Sequence, residues 1–109
     1  DSTRGLIRKP QLALLKDGSG LINTSRAEIV DRDALYNELA SGRIHGAFDV
    51  FYQEPLPQND PIREFKNVLL SPHMGYVTSE VYDVFFPQVV ENILNWSQNQ
   101  PYRNALETR

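Results

Sequence analysis

Three short segments of this 109-residue chain hold the side chains that could do chemistry: Asn23-Thr24-Ser25-Arg26, Asp49-Val50-Phe51-Tyr52-Gln53-Glu54-Pro55 and Ser71-Pro72-His73-Met74-Gly75. An arginine presents a planar fork that grips a carboxylate through two parallel hydrogen bonds. A histidine titrates near neutrality and can pass a proton to or from a hydroxyl oxygen. A carboxylate bonded to that histidine fixes its tautomer and stabilises the imidazolium. Arg26, Glu54 and His73 together therefore suit reversible reduction of a 2-oxo acid, with the hydride coming from a cofactor. No serine or cysteine nucleophile is placed to complete a hydrolytic triad, so acyl transfer does not fit.

Each residue also has a plainer reading. His73 taken alone could be a loop histidine bonded to backbone, Arg26 an exposed charge beside a helix, and Glu54 a solvated acid before proline. Asp49 differs, because an acid that ends an apolar strand needs partners to offset its desolvation. His45 begins its strand instead of ending it and reads as structural. Gly18-Ser19-Gly20 precedes a strand, whereas a loop that cradles phosphate follows a strand and opens a helix.

The three segments can act together only if the fold brings them to one rim. Pro10 suits the first turn of a helix over roughly Gln11 to Lys16, stopped by Asp17-Gly18. Leu21 to Asn23 reads as a buried parallel strand. Asp31 caps the next helix, Val30 and Leu35 form its hydrophobic staple, and Gly42 stops it. Ile44 to Phe51 is a second strand, in which Gly46-Ala47 lets a helix lie close. Asp60-Pro61 opens a short helix and Asn67 to Ser71 is a third strand. Thr78 and Glu80 suit the start of a last helix, whose apolar positions from Val81 to Trp96 recur at helical spacing. Pro87 should kink that helix or mark its true beginning.

The alternation of helices and strands predicts an α/β fold: the second half of a Rossmann-like doubly wound parallel sheet, three parallel strands with flanking helices, as an incomplete domain. All three chemical segments then follow strands, at the carboxyl edge where open α/β sheets bind ligands. Residues 1–77 read as the carboxy-terminal half of a dinucleotide-binding domain and 78–109 as a final helix and tail. The apolar stripe of that helix is expected to be core or interface.

Composition narrows the classes of function. Some 40% of residues are hydrophobic and 23% charged, with a formal net charge of −3 and no cysteine, as in an ordinary soluble domain. The weak, evenly spread charge suits neither nucleic acid nor an anionic membrane. No apolar run approaches the ~20 residues of a bilayer span, and no signal or transit pattern opens the chain. A cytoplasmic location is expected, with no metal site.

The ordered stretches TRGLI, LALLKDGSGLINTSRAEIVDRDALYNELASGRIHGAFDVFYQEPLP and NVLLSPHMGYVT resemble the D-isomer-specific 2-hydroxyacid dehydrogenase family, nearly end to end. The resemblance implies that Arg26 is the substrate-binding catalytic arginine, His73 the general acid/base and Glu54 its partner. It also implies that Asp49 holds the nicotinamide carboxamide and that Thr24, Ser25 and Gly75 line the nicotinamide half of NAD or NADP, beside Arg26 and His73. Ala27 stands where glycine is usual and Phe48 where leucine is common; neither touches a reacting group. The family's glycine-rich turn and most of its substrate domain are expected upstream of Asp1. The implied activity is hydride transfer between NAD(P)H and a small 2-oxo acid of the glyoxylate, hydroxypyruvate or phosphoglycerate type. A corepressor-type binding protein on the same body is the alternative. Formate oxidation is disfavoured by the acid at Glu54, where glutamine is found in those enzymes, and phosphite oxidation stays open. The apolar strand Leu21 to Asn23, left as a sheet edge without protective charges or prolines, and the stripe on the last helix favour self-association, expected as a homodimer.

Overall fold

The computed structural model describes residues 2–103. They fall into two compact units that divide between Gly75 and Tyr76.

The first unit opens with α1, Lys9–Leu12, which carries Pro10 in its first turn. The helix is shorter than the expected Gln11 to Lys16. Beyond Leu12 the ladder tightens, with Leu14 and Leu15 donating to carbonyls three residues back, a geometry that rarely propagates. β1, Gly20–Asn23, follows. α2, Arg32–Ala40, begins where the sequence places it: Asp31 accepts from the Ala34 amide at 2.9 Å, while Val30 and Leu35 are buried. Gly42, at φ +74°, ends it in the left-handed conformation that a side chain would disfavour.

β2 spans His45–Phe48 and β3 Val68–Leu70. The sheet order is β1-β2-β3, all parallel, with Leu21 opposite Gly46 and Phe48 opposite Leu70. Both later strands are shorter than expected. β2 stops at Phe48 because its partners run out there, and the Phe51 amide turns to the Glu54 carboxylate instead of a neighbouring strand. A 3-10 turn over Pro61–Glu64, capped by Asp60, links β2 to β3.

The core packs α1 and α2 on the sheet through Leu12, Leu35, Leu39, Ile44, Phe48 and Ile62. Two polar side chains tie its margins. Arg43 donates to the Leu12 and Leu15 carbonyls and pairs with Glu38. Asn67 donates to the carbonyls of Leu39 and Ile44. Gly46 provides the close approach that its position suggests. A Cβ built there would collide with the Phe48 ring and stand 3.1 Å from Leu39 Cδ2. Gly46→Ala is therefore expected to destabilise the unit by about 1–3 kcal/mol, the usual cost of overpacking a filled core. Denaturant unfolding checks this, and an unchanged midpoint would mean that the α2–β2 contact is slacker than described.

The second unit is α3, Ser79–Ser97, with the short segment after it. Thr78 caps the helix as expected, and the helix runs through Pro87 instead of starting there. None of its residues is buried. The stripe from Val81 to Trp96, expected as core or interface, is not core among the described residues: Phe85 and Trp96 are 56% and 69% exposed. No described helix is long and apolar enough to cross a membrane.

Candidate active site

Parallel pairing puts the carboxyl ends of all three strands on one edge, and the loops leaving that edge carry the candidate residues. The Glu54 loop is anchored on both flanks. On one side the Tyr52 hydroxyl donates to the Val30 carbonyl at 2.8 Å; on the other the Tyr36 hydroxyl donates to Asp60 at 2.9 Å. Arg32 lies over the Tyr36 ring, 4.5 Å from its centroid. Burial pushes the Tyr36 hydroxyl up to about 12, with Asp60 adding to the shift, so it stays a donor at any working pH. Arg63 closes the loop's far end by donating to the Leu56 and Pro57 carbonyls. From sequence, Asp60 is placed only as the opener of a short helix. The two tyrosine contacts are not legible there, because they join residues 24 and 22 apart and the residue types alone do not show which pairs meet.

Glu54 and His73 do meet. Glu54 Oε2 lies 2.7 Å from His73 Nδ1, across 19 residues of sequence. A carboxylate only accepts, so Nδ1 carries the proton and Nε2 is left to face a reactant. Glu54 Oε1 accepts from the Phe51 amide at 2.9 Å. That backbone bond, then the bond from His73, with the charges of His73 and Arg26 adding, holds the Glu54 carboxyl below the ordinary carboxylate range. The pair borders an open pocket of about 610 Å³ with Phe51, Leu56, Leu70 and Arg63 on its walls, within the size range of small-molecule sites.

The lowered Glu54 pKa has a consequence for stability. Its contribution is complete above the ordinary value of 4.5 and is lost as pH falls through the depressed folded value, because the unfolded chain takes up the proton first. The stability difference between the parent chain and Glu54→Gln is therefore expected to be largest at neutral pH and to shrink below pH 4.5. Denaturant unfolding at stepped pH measures it, and a difference that is flat with pH would mean the carboxylate is unpaired.

Arg26 emerges after β1 on the same edge and is exposed, along with Thr24 and Ser25. Its Nη1 donates to the Ser25 carbonyl at 2.7 Å, which leaves most of its five donors free. It makes no hydrogen bond to Glu54 or His73, unlike the two members of the pair, and its charge reaches Glu54 only through space. The Thr24-Ser25 turn is set by Asn23, whose side chain accepts from the Ser25 amide and donates to the Arg26 carbonyl.

Asp49 is the buried acid of the first unit, 4% exposed. Its Oδ1 accepts from the Ser71 hydroxyl and, at 2.9 Å, from the Met74 amide; its Oδ2 accepts from the Gly75 amide at 2.8 Å. These bonds, the one from Ser71 foremost, hold its pKa below the ordinary value. The need for partners was legible in the sequence, but which partners was not. A carboxylate offers about four acceptor positions, so one on Oδ2 is left for an amide donor from outside. Gly75 leaves room there, since a Cβ at that position would lie 3.0 Å from Asp49 Oδ2. The acceptor and the bare backbone beside it fit the carboxamide end of a nicotinamide.

The half-sheet and its edge define a Rossmann-like nucleotide-binding body that carries a histidine–carboxylate pair. The model of the D-isomer specific 2-hydroxyacid dehydrogenase family, NAD binding domain, matches residues 1–75. The chain is 38% identical over 101 residues to a glyoxylate reductase of Korarchaeum cryptofilum, covering 92% of this chain and 30% of that protein. It is 40% identical over 103 residues to a D-3-phosphoglycerate dehydrogenase of Haemophilus influenzae, covering 90% of this chain and 25% of that protein. Among solved structures, a D-isomer specific 2-hydroxyacid dehydrogenase from Xanthobacter autotrophicus, in complex with NADPH and MES, superposes with a TM-score of 0.71 at 37% identity, covering 97% of this chain and 43% of that one. The chain belongs to the D-isomer specific 2-hydroxyacid dehydrogenase family and carries part of its NAD-binding domain. It spans 25–30% of the length of these two curated relatives.

Proposed function

We propose that the whole protein reduces a small 2-oxo acid to the D-2-hydroxy acid, and runs the reverse oxidation, with NAD or NADP as cofactor. Glyoxylate, hydroxypyruvate and the phosphoglycerate type are the candidate substrates. The observation that carries the proposal is the 2.7 Å contact between Glu54 and His73 on the ligand-binding edge of the sheet. The names of the relatives, reductase and dehydrogenase, favour catalysis over a corepressor-type binding role.

A nicotinamide cofactor held at this edge would supply hydride chemistry for C2 of the substrate. The chain's own residues do the rest. Arg26 holds the substrate carboxylate with its free guanidinium donors and polarises the 2-oxo group. His73 gives the proton on Nε2 to the substrate oxygen, and Glu54, bonded to Nδ1, orients the ring and stabilises its charged form. In the oxidative direction His73 takes that proton back. Asp49, Thr24, Ser25 and Gly75, with Arg26 and His73, would hold the nicotinamide half of the cofactor.

Residues 1–77 form the carboxy-terminal half of a dinucleotide-binding domain, and the final helix and tail of 78–109 would pack on the substrate domain of the whole protein. The assembly is a homodimer, and the location is the cytoplasm. β1 is an edge of the described three-stranded sheet, which supports further pairing of the sheet there. Following nicotinamide absorbance in the full-length protein with glyoxylate and with hydroxypyruvate, using NADH and NADPH in turn, tests the activity. No turnover with any 2-oxo acid would overturn it.

A further inference from the structure

We infer that Asp49 is a positioning residue for His73, acting through the backbone of the turn that carries the imidazole as well as through any contact with cofactor. The inference rests on the proposed activity for its catalytic readout but has a second readout independent of it.

His73 sits at φ +53°, in the left-handed region that residues other than glycine enter infrequently, histidine, asparagine and aspartate more readily than the rest. A set of hydrogen bonds around it fixes that turn. The residues on both sides of it are bonded to one carboxylate. Ser71 donates its hydroxyl to Asp49 Oδ1, Met74 donates its amide to the same oxygen at 2.9 Å, and Gly75 donates its amide to Oδ2 at 2.8 Å. His73 itself closes the turn by donating its amide to the Ser71 carbonyl at 3.1 Å. The carboxylate can do this because the register places it there: Phe48 pairs with Leu70, so the next residues along, Asp49 and Ser71, leave the sheet side by side. Asp49 is buried at 4% exposure, whereas the His73 side chain is 42% exposed. A buried anion thus sets the path of the turn that carries a part-exposed ring, and that path decides whether Nδ1 reaches Glu54.

Asp49→Asn keeps the shape but replaces one accepting oxygen with a donor, so at least one backbone amide loses its bond. In the full-length protein this variant is expected to lower kcat roughly 10- to 100-fold, in line with the loss of bonds to a charged acceptor. The deciding measurement is the same substitution in a His73→Ala background. If Asp49 works through His73, it should lower kcat at saturating cofactor no further, within roughly twofold, since residues acting as one unit are not additive, and any contact with cofactor would show in the cofactor KM instead. A full loss repeated in that background would overturn the inference, because Asp49 would then act on the cofactor alone.

Ser71→Ala, which removes one side-chain donor and leaves both backbone bonds, is expected to give a smaller loss of kcat of the same non-additive kind. It carries the test if Asp49→Asn fails to fold. Independently of turnover, amide exchange at Met74 and Gly75 should be slow in the parent and fast in Asp49→Asn. Fast exchange in the parent would overturn the brace. Slow exchange in a parent that reduces no 2-oxo acid would leave the brace standing and overturn the proposed function instead.

Discussion

His73→Ala in the full-length protein is expected to lower kcat about 100- to 10,000-fold, the usual contribution of a positioned general acid, while cofactor affinity, to which His73 is one of several proposed contacts, changes little. Nε2 of His73 faces outward because Nδ1 is occupied by Glu54 at 2.7 Å. It is the atom of the pair free to protonate a substrate oxygen. The side chain is 42% exposed, so its removal opens no core cavity, and the fold should survive with its melting curve nearly unchanged. Steady-state rates with saturating 2-oxo acid, set beside a direct cofactor titration, separate the two effects. Near-normal turnover would sink the mechanism. A parallel loss of cofactor binding would mean that the ring serves the nicotinamide and not the proton.

The second large effect is expected at Arg26. Arg26→Lys should raise KM for the 2-oxo acid about 10- to 150-fold, the range for losing one hydrogen bond between charged partners, with a smaller change in kcat. An ammonium retains the charge but is a point donor and cannot match the two oxygens of a carboxylate in plane. Arg26 is exposed and bonds within the chain only to the neighbouring Ser25 carbonyl. A stability effect is therefore not expected to obscure the kinetic one. Initial rates over a wide range of substrate concentration decide the matter. An unchanged KM would remove Arg26 from the substrate site and leave it as the exposed charge that its position also allows.

These two residues differ in what made them legible. His73 and Glu54 each sit one loop beyond an apolar run, and the rule that parallel sheets present ligands at their carboxyl edge converts that into a shared location. Their contact then depends only on loops short enough to reach, which the structure provides. Arg26 obeys the same rule, yet the structure gives it no contact with the pair, because its guanidinium is turned to the Ser25 carbonyl. Its part in the proposal depends on a substrate to bridge the gap.

Local signals placed the elements well because they are local physics. Asp31 caps α2, Thr78 caps α3 and Gly42 turns left-handed, each through atoms within a few residues of itself. Strand ends were less legible. Val50 and Phe51 are as apolar as the residues before them, but β2 has no partner beyond Phe48, and pairing is a property of two chain segments. The final helix shows the same limit: its spacing announces apolar positions to be covered, while none of them is buried in the described chain.

What the sequence determined by itself is therefore the order of elements, their caps and the three loops that carry the candidate residues, since propensity, capping and periodicity act over a few residues. What only the tertiary structure decided is which groups meet. The parallel register sets Asp49 beside Ser71 and so gives a buried acid the job of holding the His73 turn. Tyr36 and Tyr52 likewise find Asp60 and the Val30 carbonyl across 24 and 22 residues. Such contacts are fixed by the packing of the whole unit, and no window of sequence contains both partners.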